Sequence, residues 1–214
     1  MNTYPVLDIE HLSNNTFRLR VERPDITIVS GQCFNVGIPD LGINREYSMY
    51  SSANSKYLEF LIRSVEGGLI SSELQKLKPG DLVEVDGAYG EFCLKDPLNK
   101  SQDYLFIATG TGIAPFHSFI KTYTKIKYKI LHGVKSVDEC YDSNAYEDGA
   151  YISCISKPKG SDEPRRVTDY LSGTEIAINT QIYVCGNRNM IVDVFDILHS
   201  KGVSGDRIIT EVFF

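Results

Sequence analysis

YLFIATGTGIAPF, residues 104–116, is the stretch whose reading decides the fold. YLFIA is an apolar run with no polar face, the signature of a strand covered on both sides, and TGTGIAPF follows it at once. Gly110 and Gly112 lack side chains, so the N–H groups of the turn around Thr111 can approach a phosphate. A helix starting near Pro115 would add its unpaired first-turn donors. The turn is not a full GxGxxG, and a glycine-rich turn also serves merely to join strand to helix, so both readings stand. In an open parallel sheet, however, ligands bind beyond the carboxyl ends of the strands, where this turn lies. Cys185-Gly186-Asn187 takes the same position after QIYV, so two strand ends with small residues define one crevice.

Toward the C-terminus the pattern repeats. YKILHGV, YISCIS and QIYVCG are further apolar runs, and the helical stretches PFHSFIKTYTK, VTDYLSG and NMIVDVFDILHSKG fall between strands. That alternation predicts a doubly wound parallel α/β domain over residues 100–214. Upstream, KDPLNKSQD reads as a polar linker, and before it the character changes. TFRLRVE, ITIVSGQCFNVGIP, REYSMYS, YLEFLIRS, LVEVDG and GEFCL are short β-rich runs separated by turn residues. They predict an antiparallel barrel or sandwich over residues 1–99, interrupted by a helix at SSELQKL that Lys78-Pro79-Gly80 ends.

Composition sets the outer limits. At 214 residues, with 42% apolar and 23% charged side chains, the chain is an ordinary globular one, which excludes disorder and collagen-like structure. No run approaches the length needed to cross a bilayer, and MNTYPVLDIEH has neither a basic nor an apolar leader region, so a cytoplasmic protein without membrane contact is expected. The five cysteines include no CxxC, which argues against a disulfide framework, a zinc site and an iron–sulfur cluster; no metal is expected. A net charge of −6 argues against general nucleic-acid binding.

INREYSMYSS, residues 43–52, is unusual for a strand. Alternation puts Arg45, Tyr47 and Met49 on one face and Glu46, Ser48 and Tyr50 on the other, so neither face is a plain apolar stripe. A polar ligand explains both faces, and so does a solvated edge strand. Gly67-Gly68-Leu69-Ile70-Ser71-Ser72 places glycines before hydroxyls at a helix start, where Ser71 is either an N-cap or part of a second phosphate-sized cradle. Arg45 favours the cradle, because a guanidinium pairs bidentately with a phosphate that also sits on a helix N-terminus.

Taken together, these stretches resemble the ferredoxin–NADP reductase family, whose motifs run in register along the chain. They are GQCFNVGIP, RxYS as Arg45-Glu46-Tyr47-Ser48, GLIS at 68–71, LKPGDLVEV with GAYGEF, GTGIAP, HGVK, RRVTDYL downstream of Ser156, CGN at Cys185, and EVFF. The resemblance implies an FAD-containing flavoprotein with a flavin barrel and a nucleotide domain. It implies that Arg45 binds the flavin pyrophosphate, Tyr47 packs along the ribityl chain and ring, and Ser48 lies near flavin N5. Leu69, Ile70 and Ser71 would hold the other side of the pyrophosphate, which favours FAD over FMN.

The same resemblance implies that Gly110, Thr111, Gly112 and Gly186 cradle the nucleotide, with Cys185 and Glu211 beside Ser48 at the hydride-transfer contact. A terminal aromatic would stack on the isoalloxazine; Phe213 is the choice and Phe214 the alternative, while closure of the core explains both rings as well. Ser156, Lys157 and Arg166 would receive a 2′-phosphate, which favours NADP(H) over NADH. Lys157-Pro158 departs from the family's usual pattern there, which keeps NADH open. The implied activity is exchange of electrons between NADPH and a separate one-electron carrier, ferredoxin or flavodoxin. Two alternatives remain: an NADH-dependent reductase component of an oxygenase, and an electron-transfer subunit of a larger flavoprotein complex. The latter kind carries a cysteine-rich tail that this sequence does not show.

Overall fold

The computed structural model describes every residue except 1, 40, 159–162, 164 and 214. It divides into two compact units, residues 1–94 with 114–122, and residues 95–113 with 123–214.

The first unit is built on six antiparallel strands: β1 (Asn2–His11), β2 (Thr16–Glu22), β3 (Cys33–Gly37), β4 (Asn44–Ser48), β5 (Tyr57–Arg63) and β6 (Leu82–Tyr89). They hydrogen-bond in the order β4-β3-β6-β1-β2-β5. The bridge Met49↔Phe60 and the bond from Tyr50 N to Glu59 O at 2.7 Å join the two outer strands, which closes the sheet into a barrel. Strand β2 shows why the sequence takes this form. Phe17, Leu19 and Val21 turn into the core at period two, while Arg18, Arg20 and Glu22 face outward.

Three expectations are corrected here. The opening strand β1, which the sequence reading left out, pairs with both β2 and β6. Residues 26–30 (ITIVS) and 90–94 (GEFCL) are not strands. The helix expected over SSELQKL is a single turn, α1 (Ser71–Leu74). Short apolar runs do not by themselves specify a strand: in 26–30 only Ile28 and Ser30 are buried, Ile26 and Val29 are exposed, and the segment leads into the Gly31 turn instead of pairing.

The second unit is a parallel sheet of β7 (Asp103–Thr109), β8 (Lys127–Val134), β9 (Tyr151–Ile155), β10 (Thr180–Asn187) and β11 (Ile208–Phe213), in the order β11-β10-β7-β8-β9. Helices α3 (Val167–Ser172) and α4 (Arg188–Ser200) pack on one face. Met190, Ile191, Val194 and Leu198 form the buried stripe of α4 at helical spacing, and they meet Leu105, Ile107, Ile182 and Val184 of the sheet. The first connection after β7 runs toward β8 and the later one toward β10, so the strand order reverses between β7 and β10.

Helix α2 (Ala114–Thr122) follows the glycine-rich turn directly, yet it packs in the first unit. His117 stacks on Tyr50 at 4.0 Å, Ser118 Oγ and Ser30 Oγ share a 2.8 Å hydrogen bond, and Ala53 N donates to Thr122 Oγ1 at 2.9 Å. Phe119 crosses so close to Gly31 that a Cβ there would lie 2.6 Å from Phe119 Cε1 and 2.1 Å from Phe92 O. Gly31 also has φ +97°, a conformation that side-chain-bearing residues avoid. Gly31→Ala should therefore lower stability by about 2 kcal/mol or more. Gly80→Ala, at φ +95° with open space around the added methyl, should cost about 1 kcal/mol. Urea unfolding of the two variants checks the difference, and equal losses would show that Phe119 yields.

Candidate functional site

In the barrel, β4 carries Arg45, Glu46, Tyr47 and Ser48 between β3 and the closing contact to β5. Burial does not alternate as the sequence suggests but deepens along the segment: Arg45 and Glu46 are exposed, Tyr47 is half-buried against Phe60, and Ser48, Met49 and Tyr50 are inside. Arg45 Nη1 donates to Asn44 O at 2.8 Å, using one of five N–H donors to orient the guanidinium on the surface. Burial pushes the Tyr47 phenol up to about 12, against the smaller opposing effect of Arg45, so it remains a neutral donor at physiological pH. Ser48 is buried. The Met49↔Phe60 bridge joins the residue after β4 to β5, and beyond β5 the chain enters the turn at Gly67 and reaches Ser71.

That turn does not use Ser71 as a cap. Ser71 Oγ accepts from Val65 N at 3.1 Å, folding the loop back on itself, and Ser72 Oγ donates to Gly68 O. Glu73 N and Leu74 N donate to Ile70 O at 3.0 and 2.9 Å, so the amides this turn can offer an anion are those of Ser71 and Ser72 ahead of them. Ile70 is buried under the barrel, whereas Leu69 beside it is 65% exposed. An exposed guanidinium, a neutral phenol and first-turn amides in one unit fit a flavin carrying phosphates.

In the parallel sheet, the carboxyl ends of β7 and β10 interlock at the reversal point. A Cβ on Gly112 would lie 2.5 Å from Cys185 O, and one on Gly186 would lie 2.3 Å from Thr109 Oγ1. Asn187 N donates to Thr109 Oγ1 at 3.0 Å, and Asn187 caps α4 by accepting from Asn189 N. The turn itself is a 3₁₀ segment, Gly110–Ile113, and α2 begins at Ala114, beside the Pro115 start that the sequence suggests. Gly110 has φ +53°, and among the described residues a Cβ there would meet no atom within 4 Å. The space at Gly110 is open, so a phosphate has room to approach the backbone of the turn.

Parallel pairing of β10 with β11 sets Cys185 beside Glu211 and Asn187 beside Phe213. The Cys185 thiol donates to Glu211 Oε2 at 3.8 Å. Burial, reinforced by that carboxylate, holds the thiol well above its ordinary pKa, so it is neither a nucleophile nor easily oxidised. Ser48 belongs to the other unit from Cys185 and Glu211. Phe214 lies outside the described residues.

Past β9, Ser156 Oγ donates to Val134 O at 3.2 Å and Lys157 is exposed. Arg165 N donates to Ile155 O at 2.9 Å, so the chain returns to the strand end just before Arg166. The Arg165 guanidinium lies over the Tyr170 ring at 4.8 Å, while Arg166 is exposed at the N-cap of α3, its backbone N–H bonded to Asp169 Oδ2.

Sequence reasoning passed over His132 and Tyr151. His132 is fully buried in β8, with Nε2 2.8 Å from Gly110 O and Nδ1 2.8 Å from Tyr151 Oη. The signal was present: a histidine inside the otherwise apolar YKIL-HGV run.

Residues 3–93 match the oxidoreductase FAD-binding domain family, and residues 106–196 match the oxidoreductase NAD-binding domain family. The chain is 26% identical over 216 residues to the toluate 1,2-dioxygenase electron transfer component of Pseudomonas putida, covering 92% of this chain and 63% of that protein. It is 33% identical over 144 residues to a ferredoxin–NADP reductase of Pseudomonas aeruginosa, covering 64% of this chain and 56% of that protein. The chain thus covers less than two thirds of either relative's length. A solved ferredoxin–NADP⁺ reductase from Neisseria gonorrhoeae, with bound FAD and NADP, shares the fold with a TM-score of 0.86 at 21% identity, over 100% of this chain and 98% of that one.

Burial lowers the His132 pKa from 6.5 to about 4, partly offset by its bond to Gly110 O, so the folded state holds it neutral. As pH falls, the unfolded chain takes up the proton first. The stability this group contributes is therefore complete above pH 6.5 and is lost as pH falls from 6.5 to about 4, a loss of about 3 kcal/mol. Denaturant unfolding across that range should show this component in the native protein and lack it in His132→Gln; identical pH profiles would mean that the imidazole titrates normally in the fold.

Proposed function

Because the chain belongs to the ferredoxin–NADP reductase-like flavoprotein family, with FAD-binding and NAD-binding domains, we propose that it is a reductase exchanging electrons between NADPH and a separate one-electron protein carrier such as ferredoxin or flavodoxin. The observation that carries the nucleotide half is the pair of interlocked glycine turns at the reversal point of the parallel sheet. Bound FAD supplies the redox chemistry, taking up hydride from reduced nicotinamide and releasing electrons one at a time. The protein's own groups bind, orient and exclude water.

Arg45 pairs with the flavin pyrophosphate from one side, and the Leu69-Ile70-Ser71 turn presents its amides from the other. Tyr47 lies along the ribityl chain, and Ser48 offers its hydroxyl near flavin N5. At the nucleotide, Gly110, Thr111, Gly112 and Gly186 bring backbone close to the phosphates. Cys185, kept as a thiol, and Glu211, kept beside it, line the nicotinamide end; neither forms a covalent bond. Phe213, which pairs with Asn187 in the strand register, would supply the aromatic ring against the flavin.

Ser156, Lys157 and Arg166 form the proposed 2′-phosphate site, and the engagement of Arg165 with Tyr170 favours Arg166 as the phosphate ligand. A second reading keeps this chemistry and changes the carrier to an oxygenase component. It draws on relatives named as the electron transfer component of toluate 1,2-dioxygenase and the reductase component of propane 2-monooxygenase.

Arg45→Ala should purify with little flavin, because losing a charge-assisted bond of about 1.5–3 kcal/mol weakens retention some tenfold to a hundredfold. Retention equal to the unmodified protein, read from the flavin-to-protein absorbance ratio, would overturn the assignment of β4. Lys157→Ala and Arg166→Ala should each raise KM for NADPH while leaving that for NADH unchanged. Steady-state reduction of an artificial acceptor with both nucleotides decides this; an unmodified protein equally efficient with NADH would remove the NADP assignment and leave the flavoprotein reading intact.

A further inference from the structure

We infer that His132 is a positioning residue for pyridine-nucleotide binding, aiming a backbone amide of the glycine-rich turn at the nucleotide's pyrophosphate through its bond to the Gly110 carbonyl. The inference rests on the nucleotide reading of that turn given above.

The directions of the bonds follow from donor chemistry. A carbonyl only accepts, so Nε2 carries the proton donated to Gly110 O. In the neutral ring Nδ1 then holds a lone pair, and the Tyr151 hydroxyl must be its donor. Tyr151 is held in turn by its ring, stacked on Tyr146 at 5.1 Å and 9°. The chain of bonds thus has a single sense, from Tyr151 through His132 to Gly110, and it fixes both the tautomer and the ring plane. Strand register brings the donor into place, since His132 of β8 pairs with Ala108 of β7, two residues before Gly110.

The consequence for the turn comes from peptide geometry. The Gly110–Thr111 bond is trans, because Gly87–Ala88 is the cis peptide among the described residues. In a trans peptide the C=O and the following N–H point in opposite directions. A Gly110 carbonyl drawn onto the buried imidazole therefore turns the Thr111 N–H away from it, and at Gly110 itself an added Cβ would meet no described atom within 4 Å, which leaves room at the turn for a ligand. Gly110, at φ +53° without a side chain, is the flexible link most in need of such a restraint. The device acts on the pyrophosphate, which NADP(H) and NAD(H) share, so it sets affinity for both and does not choose between them.

The test uses the FAD-loaded protein and measures Kd for NADP⁺ and NAD⁺ by flavin difference spectra, together with KM and kcat. His132→Leu should raise both Kd values by about tenfold, the equivalent of one well-formed hydrogen bond, with equal factors for the two nucleotides, unchanged flavin retention and unchanged turnover at saturation. His132→Gln, whose amide can donate to Gly110 O, should restore binding to within about threefold. Tyr151→Phe keeps the ring and removes the donor that fixes the tautomer, and should raise both Kd values by about threefold. Should His132→Leu not fold, Tyr151→Phe carries the test. Gly110→Asn, tolerated at this φ but filling the open space there, should abolish binding of both nucleotides. Unchanged binding in Gly110→Asn would place the nucleotide elsewhere and remove the underlying reading. Loss in Gly110→Asn with native Kd values in His132→Leu, or in Tyr151→Phe, would leave that reading standing and overturn the role of His132.

Discussion

Backbone against backbone at the ends of β7 and β10 is the contact on which the nucleotide unit depends. Gly112 lies under the Cys185 carbonyl and Gly186 under Thr109, each at a distance that leaves no room for a methyl group. Two neighbouring parallel strands can thus end in turns packed backbone to backbone, tied by the bond from Asn187 N to Thr109 Oγ1. The same approach fixes Cys185, and through the β10–β11 register it fixes Glu211 and Phe213 as well. A thiol buried this deeply stays protonated, so it serves as a small neutral wall that gives one hydrogen bond to the carboxylate.

The barrel meets a different constraint. Its strand β4 carries polar residues into a closed barrel, and it does so by changing role along its length. Arg45 and Glu46 lie in solvent, Tyr47 is half-buried, and Ser48, Met49 and Tyr50 are inside. Met49 and Tyr50 do the structural work, one in the closing bridge to β5 and the other stacked on His117 of α2. The polar residues at the start of the segment are thereby held on a rigid frame. Placing binding groups on a strand instead of a free loop limits the entropy lost when a ligand is bound.

Much of this was legible before any coordinates. The apolar runs that became β7, β8, β9 and β10 stood out because strands buried on both faces have no polar alternation, and their spacing implied helices between them. The motifs Arg45-Glu46-Tyr47-Ser48 and Gly110-Thr111-Gly112 were visible because glycine, arginine and hydroxyl residues are costly or unnecessary in a plain core. Strand β1 was missed because Asn2–His11 mixes exposed and half-buried positions, so it lacks a clean period of two. ITIVS is the opposite case, an apolar and β-branched run that forms a loop with Ile26 and Val29 exposed, because composition alone does not supply a pairing partner.

What the sequence determined by itself was the order of elements and the residue types available at each strand end, because periodicity and composition are local properties. Only the tertiary structure decided which of those residues meet. It paired Cys185 with Glu211 by parallel register, turned Ser71 back onto Val65 instead of into a cap, and packed α2 in the first unit although the chain enters it from the second. It also brought His132 and Tyr151, nineteen positions apart, onto the carbonyl of Gly110. The physical reason is that hydrogen bonds and burial act over a few ångströms in space, and sequence separation carries no record of that distance.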